Sequence, residues 1–154
     1  RKFPIILICE NVSNALNIGS LFRMADAFGI EKLILCGDNI SLGRKTAKTS
    51  RATEKVIHYE IQESAIEIAE SLKRQGYQII SLEITATSNP IHNFKFLKNQ
   101  PLALIIGDEN FGISENILNS SDHIIHIDMY GQNSSMNVVQ ATNIALYEIT
   151  KQIL

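Results

Sequence analysis

Nowhere in the chain do apolar residues run for the roughly 20 positions that a membrane-spanning helix needs, so no membrane partner is expected. A charged start followed by an apolar stretch and a cleavage site is also missing, which argues against a secretory signal. Cysteine is scarce: Cys9 and Cys36 alone, each inside a strand-like run. Two such residues suit small buried side chains in a reducing, cytoplasmic setting better than a disulfide framework. A net charge of −2 and an isoelectric point near 6.1 give no global signature of nucleic-acid binding, although a local patch can be offset elsewhere. Neither a P-loop nor a GxGxxG fingerprint occurs. Metal ligation is not expected either. His123 and His126, three apart on a strand, point to opposite faces, while His58 and His92 have no paired ligand nearby in sequence.

What the chain does have is 154 residues, 45% of them hydrophobic, enough for one domain over residues 1–154 with a substantial core. It starts at Arg1, which leaves room for an N-terminal extension. Residues 3–9 form a continuous apolar run of strand length, as expected of a parallel strand covered on both faces. A polar, turn-prone segment follows over residues 10–20, then a helix through Leu21, Phe22, Met24, Ala25, Ala27 and Phe28 that Gly29 ends. Further strands are predicted over residues 32–37, 56–61, 77–85, 101–106 and 123–129. An amphipathic helix spans residues 64–75, with Gly76 as its stop, and residues 138–154 form a helix that is apolar over most of its circumference. The alternation of strands and helices gives an α/β fold with a largely parallel sheet flanked by helices, whose ligands bind beyond the carboxyl ends of the strands.

Three loops at such ends stand out. Between Met129 and Val138 lie Gly131, three amides (Gln132, Asn133, Asn137) and two hydroxyls (Ser134, Ser135) without one charge. That composition offers neutral donors at a helix N-terminus, and capping by Ser134 or Ser135 is the plainer reading. The stretch Gly107-Asp108-Glu109-Asn110-Phe111-Gly112 carries two carboxylates that would repel phosphate yet suit a cationic or neutral ligand. Phe111 either stacks on a base or packs, packing being the commoner fate. Residues 43–55, read as a loop, hold five basic residues and one acidic one, the electrostatic footprint of a phosphate-contacting segment or simply of a solvated loop. Arg23, flanked by Phe22 and Met24, reads on its own as a snorkelling side chain paired with Asp26.

Taken together, Asn17-Ile18-Gly19-Ser20-Leu21-Phe22-Arg23, Gly107-Asp108-Glu109-Asn110-Phe111-Gly112 and Ile127-Asp128-Met129 with Ser135-Met136-Asn137-Val138 resemble the three motifs of the SpoU/TrmH branch of the SPOUT superfamily, in order and spacing. Departures from the pattern are Asp128 where Pro is usual, Val139 where a small residue is common, and no Pro just before Asn17. Asp128 restores an N–H and frees φ.

The resemblance implies an S-adenosylmethionine-dependent methyltransferase acting on a ribose 2′-hydroxyl of tRNA or rRNA, with a C-terminal trefoil knot and a homodimer. It places Arg23 at the ribose and makes Asn17, Glu109, Ser135 and Asn137 the other residues of the catalytic site. Glu109 would orient Arg23 or Asn17, or serve as a first-turn carboxylate for a short helix from Ser114. Cofactor positions implied are Ile84, Thr85, Gly107, Ile127, Met129, Ser135 and Met136, and RNA would meet Arg44, Lys45, Lys48 and Arg51. A guanidinium with a pKa above about 12 is a poor base, so Arg23 better suits binding phosphate and stabilising an alkoxide. Two rival readings are a non-catalytic RNA-binding dimer of the same fold and a flavodoxin-like nucleotide domain.

Overall fold

The computed structural model describes residues 2–38, 40–133 and 135–154. Arg1 and Ser134, both singled out above, lie outside them. Seven strands form one sheet: β1 (Phe3–Glu10), β2 (Ile30–Cys36), β3 (Tyr59–Gln62), β4 (Gln78–Leu82), β5 (Asn89–Pro90), β6 (Leu102–Gly107) and β7 (His123–His126). Their order is β3-β2-β1-β6-β4-β7-β5, and every pairing is parallel. Among the described residues five helices accompany them, four between strands and the last after β7: α1 (Ala15–Ala27), α2 (Arg44–Ser50), α3 (Ala65–Arg74), α4 (Glu115–Ser120) and α5 (Val138–Ile153).

The unbroken apolar runs are explained by two-sided burial. On β1, Ile5, Leu7 and Cys9 join one core with Leu21, Phe22 and Ala25 of α1 and Ala145, Leu146 and Ile149 of α5. The alternate residues Ile6 and Ile8 join a second core with Ala65, Ala69 and Leu72 of α3 and Ile117 of α4. Period-two alternation thus sorts the side chains to opposite faces of the sheet. Both cysteines are buried and free. Burial, with Cys36 beside it, pushes the Cys9 thiol well above its ordinary value. Burial first, then Glu10 and Glu60, pushes Cys36 up to about 12.

Several sequence expectations need correction. Helix α1 starts at Ala15 rather than near Leu21, because Asn14 Oδ1 accepts from Asn17 N at 3.0 Å and caps it. Asn17 therefore belongs to the helix and not to a loop. Residues 44–50 are helical instead of forming a loop, and a 3-10 turn (Thr53–Lys55) follows. The third strand begins at Tyr59, not Val56. The strands expected over residues 77–85 and 123–129 leave the ladder three residues early, at Leu82 and His126, where the chain diverges to surround a cavity.

Helix α2 lies directly on α1, and Gly19 makes that possible. A Cβ at Gly19 would run into the Thr49 side chain and the Thr46 carbonyl, while Thr49 Oγ1 donates to the Leu16 carbonyl at 2.8 Å.

Candidate active site

Three neighbouring strands, β6, β4 and β7, end at one cavity of about 430 Å³. Its walls are Leu82 to Ile84 after β4, Ile106 to Gly112 around the end of β6, His126, Ile127 and Met129 at the end of β7, and Ser135, Met136, Val138 and Ala141 at the start of α5. Six of the seven expected cofactor positions line it: Ile84, Gly107, Ile127, Met129, Ser135 and Met136. Thr85 does not. Its N–H donates to Ser88 Oγ at 2.9 Å and its carbonyl accepts from the same hydroxyl, so it closes a turn behind the cavity.

The loop after β6 is held against the sheet ends by two carboxylates far away in sequence. Glu10 accepts from Ser114 N at 2.7 Å and from Ser114 Oγ at 2.8 Å, and Glu83 accepts from Ile113 N at 3.0 Å. The loop also folds tightly on itself. A Cβ at Gly107 would meet the Gly112 carbonyl carbon at 2.5 Å and Ile113 N at 2.7 Å, so only glycine fits. Neither Glu10 nor Glu83 announces this role in the sequence, because each acts on a segment placed beside it only by strand order.

Glu109 then links three parts of the chain. Its Oε1 accepts from Asn137 Nδ2 at 2.9 Å and from Val138 N at 3.2 Å. Asn137 Nδ2 also reaches Asn17 Oδ1 at 3.4 Å, and Asn137 Oδ1 caps α5 by accepting from Val139 N and Gln140 N at 2.9 and 3.2 Å. The cap of α5 is therefore Asn137 rather than Ser135. Glu109 belongs to the N-terminus of α5, where a carboxylate complements the helix dipole, and not to the first turn of α4. The structure brings Asn17, Glu109 and Asn137 together beside the cavity, with Ser135 on its wall. Arg23 projects from α1 as an exposed side chain. Among the described residues no ion pair joins it to Asp26 or to Glu109.

At the far side of the β7 end, His126 makes a relay that the sequence reading did not foresee. His126 Nδ1 meets Ser88 Oγ at 2.8 Å, and Nε2 meets Asp128 Oδ1 at 2.8 Å. His92 Nδ1 lies 3.7 Å from the other oxygen of Asp128. Asp128 thus ties its loop to β7 and approaches His92, while His126 ties β7 to the turn after β4. His123 instead packs edge-on against Phe94 at 4.9 Å. Among the described residues no group of three or more His, Cys, Asp or Glu side chains is arranged to hold a metal, and no helix is long and apolar enough to cross a membrane.

Arg44, Lys45, Lys48 and Arg51 are all exposed on and just after α2. The turn beneath them is unusual, since Arg51 and Ala52 are consecutive non-glycine residues in the left-handed region, at φ 52° and 66°. Ser50 Oγ hydrogen-bonds Glu54, and Thr53 Oγ1 donates to the Ser50 carbonyl at 2.5 Å.

A parallel α/β sheet with a nucleoside-sized cavity at three strand ends, flanked by an amide–carboxylate bridge, defines a ligand-binding enzyme class whose site is made of loops. Residues 4–147 match the SpoU rRNA Methylase family, and the chain belongs to it. It is similar to a tRNA (guanosine(18)-2′-O)-methyltransferase of Aquifex aeolicus, 28% identical over 99% of this chain and 71% of that one. Among solved structures it resembles the A. aeolicus TrmH/SpoU tRNA modifying enzyme, with a TM-score of 0.88 at 27% identity, covering 99% of this chain and 76% of the other. It also resembles the SpoU methyltransferase AviRb of Streptomyces viridochromogenes in complex with AdoMet, with a TM-score of 0.84 at 25% identity over 97% of this chain and 60% of that one.

Proposed function

We propose that this chain transfers a methyl group from S-adenosylmethionine to a ribose 2′-hydroxyl of tRNA or rRNA. The observation that carries the reading is the Asn17–Glu109–Asn137 bridge at the rim of the cavity, in a chain of the SpoU family. The cavity fits the cofactor chemically. Its volume of about 430 Å³ suits a nucleoside-sized ligand. Leu82, Ile106 and Ile127 offer apolar walls, and the carboxylates of Asp108 and Glu109 favour a positively charged group. Ile84, Gly107, Ile127, Met129, Ser135 and Met136 would hold it. When bound, S-adenosylmethionine supplies an electrophilic methyl on a sulfonium.

The chain's own residues then position and stabilise. Glu109 and Asn137 fix the start of α5 against α1, which sets the cavity wall before any substrate arrives. Arg23, a permanent cation with five donors and no intramolecular ion pair among the described residues, binds a phosphate of the RNA and stabilises the negative charge developing on the ribose oxygen. The hydroxyl proton passes to a phosphate oxygen of the RNA or to water. The exposed basic side chains of α2 provide a salt-dependent hold on the phosphate backbone.

Three wider features belong to the same reading. A second copy of this chain covers the groove between the 3-10 turn Ile91–Asn93 and α5, which is lined by Tyr130, Ile144 and Tyr147. The knotted C-terminal region rests on membership of the SpoU family. A single catalytic domain working in the cytoplasm suits the two buried, free thiols.

The test is transfer of labelled methyl to bulk tRNA and, separately, to rRNA, with mapping of the product nucleotide. Label on a ribose 2′-oxygen that falls about 100-fold or more in Arg23→Ala is the expected result. Cofactor and RNA binding without transfer to either pool would instead support a non-catalytic RNA-binding dimer.

A further inference from the structure

Phe111 is 88% exposed, which reverses the expectation that it packs. What sets it apart is that it stands on a fixed loop at the rim of the cavity. Its loop is pinned at every turn: Asp108 Oδ2 accepts from Asn110 N at 2.9 Å and from Phe111 N at 3.1 Å, Gly112 N donates to the Asp108 carbonyl at 2.7 Å, and Ile113 N is held by Glu83. Burial of Phe111 by loop movement would break these bonds. Two residues before it, Glu109 forms the bridge to Asn137 and Asn17, so the ring stands at the mouth of the cavity in fixed register with the proposed catalytic side chains. It lines that cavity and has no part in the apolar groove along α5.

We infer that Phe111 is a stacking platform for a nucleobase of the RNA at the cavity mouth, a substrate-positioning residue for the reaction proposed above, on which this inference rests. An aromatic face takes any base, loses little side-chain entropy when already held, and offers a surface that neither the carboxylates nor the amides around it provide. Arg23 would then meet the sugar–phosphate of a nucleotide whose base is fixed by the ring.

The experiment compares wild type with Phe111→Ala, Phe111→Leu and Phe111→Tyr, using the RNA pool that accepts methyl and S-adenosylmethionine alone. Stacking predicts that Ala and Leu lower kcat/KM for RNA by about 10- to 100-fold while Tyr keeps it within about threefold, with cofactor affinity unchanged in all three. Oligonucleotides carrying an abasic site at the mapped nucleotide or at either neighbour should erase the difference between wild type and Phe111→Ala at one of those positions. Equal kcat/KM for wild type and Phe111→Ala overturns the stacking role alone. So does loss of cofactor affinity, or a shift in sedimentation that accounts for the defect. A wild-type chain that methylates and binds neither tRNA nor rRNA overturns the functional reading, and the stacking role with it.

Discussion

Asn137 spends both ends of its amide. The oxygen caps α5 through Val139 N and Gln140 N, and the nitrogen reaches Glu109 and Asn17. Asn137→Asp keeps the cap oxygen and places a second carboxylate against Glu109. Its thermal stability should stay within about 1 kcal/mol of wild type, while methyl transfer falls by more than tenfold. Asn137→Ala loses cap and bridge together and should cost about 1–2 kcal/mol in chemical denaturation. The cysteines behave oppositely, as silent residues. With their thiols pushed up by burial, neither Cys9 nor Cys36 should react with a thiol reagent near about pH 8 until denaturant is added, when two thiols are titrated.

At the scale of the element, α1 and α2 form a unit in which Gly19 lets a basic helix rest on the helix that carries Arg23. Alanine is the better helix former, yet Gly19→Ala forces α2 away and should destabilise the fold by about 1–3 kcal/mol. It should also weaken RNA binding in filter assays at moderate salt. Below α2, the Ser50 hydroxyl, and after it the Glu54 backbone, hold the Glu54 carboxyl below its ordinary range. A lowered folded value means that this contact stabilises fully above the ordinary glutamate range and is lost as pH falls from that range through the lowered folded value. Amide exchange at Thr53 to Val56 should therefore quicken on acidification before the sheet is affected. The sequence revealed these elements unevenly. Helix α3 was plain because Ser64, Glu67, Lys73 and Gly76 mark its ends locally. The early start of α1 was hidden because Asn14 is an ordinary turn residue unless its side chain is known to reach Asn17. The helix at Arg44 was hidden because its partner, α1, supplies the burial that its own short polar sequence does not.

For the molecule as a whole, the parallel sheet and its two-sided core could be read from apolar runs, and the family resemblance singled out Asn17, Glu109 and Asn137, which meet beside the cavity. Strand order could not, and it is strand order that brings Glu10 and Glu83 to the loop at Gly107 and His126 to Ser88. Those contacts join residues up to 104 positions apart, beyond any local pattern. The half-exposed apolar side chains on α5, Tyr147 at 63% and Ile144 at 44%, give a prediction at this scale. Analytical ultracentrifugation of wild type should show a dimer at micromolar concentration, and Tyr147→Glu combined with Ile144→Glu should shift it towards monomer while circular dichroism remains unchanged.

The bridge from Asn17 through Asn137 to Glu109 also sets a clock during synthesis. A ribosome-bound chain that has exposed every strand still lacks Ser135, Met136, Val138 and Ala141, and with them one wall of the cavity. Capacity to retain the methyl donor should consequently appear abruptly, when α5 clears the exit tunnel and Asn137 finds its two partners. Donor retention by stalled nascent chains of increasing length would thus report completion of the fold, not its onset.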